Sequence, residues 1–135
     1  MRAVRRLVVC GVVTFIGCTG APVEDGLFFP TFDTQGALPT AIVQGVLMER
    51  DRCLFVDRTL VVWEAGLGFE DGALLDREGA PIARVGDLIY GGGGYWGQRG
   101  HFEDLAGEPI PERCVPSGDG DRFALIYEVE AGEFE

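Results

Sequence analysis

Apolar and polar residues alternate most clearly near the end of the chain. In Phe123–Val129, Phe123, Leu125, Tyr127 and Val129 fall on one face and Ala124, Ile126 and Glu128 on the other, the period of a strand with one buried side. Ile42–Met48 is β-branched and apolar, with Gly45 as a candidate bulge. Cys53–Val56 and Thr59–Trp63 are short apolar runs split by Asp57-Arg58, the spacing of a tight hairpin. Ala73–Leu75 and Ile82–Val85 flank a second turn, Asp76-Arg77-Glu78-Gly79. Asp87–Tyr90 reads as another strand. Glu64–Gly72 and the glycine-rich stretch Gly91–Gly100 read as loops. Phe102–Ser117, broken by Pro109, Pro111 and Pro116, reads as irregular, and no segment shows a convincing amphipathic helix.

About five to six short strands with turn signals every 8–12 residues predict an all-β domain, a closed or partly open barrel or a small sandwich. Strand count and size favour an OB-like barrel over residues 41–135, with Trp63 among the side chains filling it. Residues 18–40 read as a tether. Gly20, Pro22, Gly26, Pro30, Gly36 and Pro39 punctuate them and no period survives. Within them, Leu27-Phe28-Phe29-Pro30-Thr31-Phe32 is apolar enough to pack on the domain or lie near a membrane surface.

The first 17 residues are of another kind. Arg2, Arg5 and Arg6 precede an apolar run from Leu7 to Gly17, the order of a secretory signal. The run is shorter than the roughly 20 residues a spanning helix needs. It ends in Phe15-Ile16-Gly17-Cys18, which resembles the lipobox of bacterial lipoproteins, with Phe15 where leucine is usual. The resemblance implies cleavage before Cys18, acyl chains on that cysteine, and an anchor in an envelope membrane. Thr19 in place of aspartate implies the outer membrane in a cell that has one. Several acyl chains on one residue give stable anchoring, each buried CH₂ adding roughly 0.8 kcal/mol.

Cleavage at that point removes three arginines and no acids, leaving eight arginines against 22 acids, a formal charge of −14 compared with −11 for the whole chain. That charge repels nucleic acid and anionic head groups, so no nucleic-acid partner is expected. All basic residues are arginine, which reads as compositional bias. Cys53 and Cys114 are then the remaining cysteines, apart from Cys10 within the signal. In an oxidising envelope they are expected to pair. A metal site is the rival reading, poorly supported by two cysteines and one histidine without C-x-x-C spacing. No metal or cofactor is expected.

The series Gly45, Cys53-Leu54, Leu60-Val61-Val62-Trp63, Val85-Gly86-Asp87, Gly91-Gly92-Gly93 and Cys114 resembles a type of small extracytoplasmic bacterial domain of unknown function, over about residues 43–129. Glu64 stands where that pattern has proline. The shared residues form structure, so the resemblance implies a fold and no activity.

Candidate chemistry is sparse. Gly91–Gly94 lacks the Gly-Lys-Ser/Thr ending of a phosphate loop and the spacing of a dinucleotide fingerprint. Ser117 and His101, each the sole residue of its type, lack a nucleophile elbow. Asp119 and Asp121 suggest a calcium loop only faintly, without further ligands at set spacing. Carboxylate pairs such as Glu70-Asp71 and Glu103-Asp104 carry no signal among 22 acids. The stretch that stands out is Tyr95-Trp96-Gly97-Gln98-Arg99-Gly100-His101-Phe102. Aromatics there either stack against a glycan or envelope protein, with Arg99 and His101 adding hydrogen bonds, or Tyr95, Trp96 and Phe102 fold back to plug the barrel. The expectation is a non-catalytic envelope lipoprotein, a binding or structural module. The alternative is a carbohydrate- or peptidoglycan-binding module using the Tyr95-Trp96 loop.

Overall fold

The computed structural model describes residues 20–118, 120 and 122–134. Cys18 and the lipobox, and Asp119 and Asp121 of the suggested calcium loop, lie outside the described residues. In chain order the strands are β1 (Thr31–Phe32), β2 (Ala41–Arg50), β3 (Cys53–Val56), β4 (Thr59–Glu64), β5 (Gly68–Glu70), β6 (Ala73–Leu75), β7 (Pro81–Arg84), β8 (Leu88–Trp96) and β9 (Phe123–Ala131). A helix α1 (Arg99–Ala106) and a 3-10 turn (Glu112–Cys114) lie between the last two.

Two-residue turns fold β2, β3 and β4 into a meander. Asp51 and Arg52, both at positive φ, join the Arg50–Cys53 pair, and Asp57-Arg58 join Val56 to Thr59. β8 pairs antiparallel with β2 and with β9, and β9 closes the circle by pairing parallel with β4, Leu60 to Phe123 and Trp63 to Ile126. The result is a closed five-stranded, OB-like barrel, as the pattern predicts. β1 is an extra strand, parallel to the end of β4.

Alternation sorts the side chains into two cores. Val43, Leu47, Leu54, Val56, Val61, Trp63, Ile89, Ala124 and Ile126 come from all five barrel strands and fill the interior. Phe69, Leu74 and Ala83 of the β5–β7 sheet join them and extend that core at one end. Phe55, Leu60, Val62, Phe123 and Leu125 point outward and are roofed by Phe28, Phe32, Phe102 and Ile110. Cys53 and Cys114 form a disulfide inside this second core, tying the start of β3 to the 3-10 turn. The metal reading of the two cysteines therefore falls.

Several expectations are corrected. Residues 21–32 are built into the domain. Phe28 and Phe32 are buried, Phe29 stacks on Trp63 at 5.8 Å, and the Trp63 N–H donates to the Pro30 carbonyl at 2.9 Å. Burying Phe28 and Phe32 and half-burying Phe29 outweighs the disorder that proline and glycine suggest. The Glu64–Gly72 loop contains β5, anchored by Phe69. Gly91–Gly94 is no loop but the middle of β8, with Gly92 and Gly93 paired on both sides, Gly91 with β2 and Gly94 with β9. Gly45 is no bulge; the β2–β8 register runs unbroken through Gly45 and Ile89. A Cβ there would lie 2.5 Å from Asp57 Oδ2, and that carboxylate is fixed because its other oxygen accepts the Val46 N–H at 2.8 Å. The bulge falls on β9. Glu128 has φ 53°, and the register shifts between Tyr90 and Gly92. The extra residue reverses the side-chain parity, so Val129 packs on the interior core and not with Tyr127.

Helix α1 was not expected either. It has eight residues with only Phe102 buried, too few for a periodic pattern to emerge. Gly107, at φ 74°, ends it by donating its N–H to the Glu103 carbonyl, the left-handed cap that glycine adopts without strain.

Candidate functional site

The end of β8 and the start of α1 bring the singled-out residues to the outer face of the barrel. The glycines of β8 permit this approach. A side chain at Gly93 would strike the Leu125 carbonyl inside the barrel. One at Gly94 would stand 2.9 Å from Cβ of Pro39 outside it. Pro39 therefore lies close over β8, and Tyr127 holds it there by donating its hydroxyl to the Pro39 carbonyl at 2.6 Å.

Between this segment and α1 runs an open groove of about 530 Å³. Phe32, Leu38, Pro39, Trp96, Leu105 and Leu125 give it apolar walls; Asp33, Gln35, Tyr95, His101 and Asp104 bring polar groups to it. Trp96 is partly exposed, and the His101 ring meets it edge to face at 4.7 Å. Its Nε1 is shielded from solvent and has no acceptor among the described residues, a donor left uncompensated in the wall. Tyr95 sits at the rim, where its hydroxyl accepts the N–H of Gln44 of β2 at 3.2 Å.

Three of the four expected residues, Tyr95, Trp96 and His101, thus share the groove. They stand on a strand end and a helix, not on a loop. Arg99 does not line it. Its guanidinium contacts Glu112 at 2.9 Å, the Ile110 carbonyl at 3.0 Å and Glu103 at 3.3 Å. Glu112, then Glu103, raise its pKa further above the ordinary value. Arg99 is a clasp between α1 and the segment after it. Glu103 works with it: the Ile110 N–H, then Arg99, hold its carboxyl below the usual range despite some desolvation. Phe102 is buried between Phe28 and Phe123 on the outer face, so it does not plug the barrel end.

Asp33, Gln35 and Asp104 carry no local signal: Asp33 and Gln35 fall in the stretch that reads as a tether, and Asp104 in one of many carboxylate pairs. Only the packing of Phe32 and Pro39 on the barrel brings them together. Ser117 lines a separate recess with Arg50 and Arg58, away from His101. No group of three or more histidine, cysteine or acidic residues fit to hold a metal occurs among the described residues.

No family model matches the chain, and neither a curated protein nor a solved structure matches it.

Proposed function

We propose that the protein is a non-catalytic, lipid-anchored binding module of the cell envelope, and that its ligand seat is the groove at Trp96. The observation that carries the reading is the groove itself. It sets a partly exposed indole among two carboxylates, an amide, an imidazole and a phenol. Apolar walls with a few convergent polar groups are the usual make-up of a ligand site. An aromatic surface ringed by donors and acceptors suits the apolar faces and hydroxyls of a sugar, so a glycan, peptidoglycan included, is the ligand class favoured. The anchoring half of the reading is supported by the three N-terminal arginines, the apolar run and Phe15–Cys18.

Each half has its own test. Intact mass of the protein from membranes is expected to show a chain starting at Cys18 with acyl groups. Recovery of unlipidated chain with residues 1–17 attached overturns the anchor. Peptidoglycan fragments are expected to change the emission of Trp96, over a steady background from the buried Trp63. An emission unchanged across glycan classes overturns the glycan assignment.

A further inference from the structure

The fold constrains where the lipid can be. Ala21 is fixed to the β4–β5 connection, where its N–H donates to the Gly66 carbonyl at 3.1 Å, and Val23 forms a parallel bridge with Phe69 of β5. The Phe69 N–H donates to the Pro22 carbonyl at 2.9 Å, and the Glu24 N–H to the Phe69 carbonyl at 3.1 Å. Gly20 already lies beside Gly66, and Arg77 completes the same recess. Two peptide units separate Gly20 from Cys18, so the two Cα atoms lie within about 8 Å of each other. A free linker over residues 19–40 would instead give a reach of about 26 Å.

We infer that the domain sits directly on the membrane, with the Gly66–Arg77 rim turned to the lipid head groups. The inference rests on the proposed acylation of Cys18. Acyl chains in the hydrocarbon core place that cysteine in the head-group layer, roughly 5–8 Å thick per leaflet. The connection carries Gly20 no more than about 8 Å from that cysteine, so the rim stays at the surface of the layer. The Asp76–Gly79 turn, exposed at Arg77, Glu78 and Gly79, belongs to this face. Arg58, in the β3–β4 turn, lies at the opposite end of β4 from Gly66. A partner must then come within roughly 35 Å of the bilayer, the width of a domain this size.

The test uses the full lipidated protein in phosphatidylcholine vesicles carrying a head-group quencher. A dye is placed on Glu78→Cys in one sample and on Arg58→Cys in another, and acylation is verified by intact mass. Quenching is expected to be at least threefold stronger at position 78. A 20-residue Gly/Ser insertion between Thr19 and Gly20 is expected to abolish the difference. Acylated protein quenched equally at both positions, or more at 58, overturns the apposition while leaving the anchor intact. A mass without lipid removes the anchor and the placement with it.

Discussion

Tyr127 fills the space that a side chain at Gly92 would need. A Cβ at position 92 would lie 2.6 Å from Cζ of Tyr127, whose hydroxyl is in turn bonded to the Pro39 carbonyl. The glycines of β8 are thus set by contact on both faces of one strand. Gly92→Ala pushes a movable ring aside, whereas Gly93→Ala meets the Leu125 backbone. Overpacking of this kind costs about 1–3 kcal/mol. Urea unfolding is expected to place Gly93→Ala at or above the top of that range and Gly92→Ala near the bottom.

The disulfide joins residues 61 positions apart. Closing such a loop removes unfolded-state entropy worth about 4 kcal/mol. Cys53→Ala with Cys114→Ala is expected to lower stability by that order in denaturant titrations. Added reductant is expected to shift the wild type and leave the double variant unmoved.

Acid is expected to loosen the segments around the barrel first. Glu24 has its carboxyl held below the ordinary 4.5 by the Asp71 N–H and then Arg52. Glu103 is held below it by the Ile110 N–H and then Arg99. A depressed carboxyl stabilises the fold above the unfolded-state value, and the contribution is lost as pH falls through the lower folded value. The thermal midpoint is therefore expected to fall as pH drops below 4.5, and Glu24→Gln with Glu103→Gln to flatten that decline.

What was legible in the sequence was local. The alternation over Phe123–Tyr127, the turns at Asp57-Arg58 and Asp76–Gly79 and the lone cysteine pair each report on near neighbours or on a single forced partner. Gly91–Gly94 reads as a loop because glycine has no side chain to show a period; its strand state comes from β2 and β9 on either side. Within the stretch that reads as a tether, the apolar run over residues 27–32 leaves packing on the domain or on a membrane surface open, and the structure shows the packing; the Trp63 and Ala65 N–H groups that bind it lie more than 30 positions away, beyond the reach of local signals such as Pro30 and Gly26. The groove was half legible for the same reason. Tyr95, Trp96 and His101 sit within seven residues, but Asp33 and Gln35 reach them only through the fold.

The most direct test of the account is calorimetric titration of the full-length protein with peptidoglycan fragments, comparing wild type, Trp96→Ala and Asp104→Ala. Asp104 is exposed on the groove wall, so its variant keeps the barrel intact even where loss of the Trp96 ring costs some stability. Saturable binding by wild type is expected. A loss of about thirtyfold or more is expected in Trp96→Ala, the size usual for a central aromatic anchor, and a smaller loss in Asp104→Ala. Wild-type binding that persists unchanged in both folded variants would contradict the account.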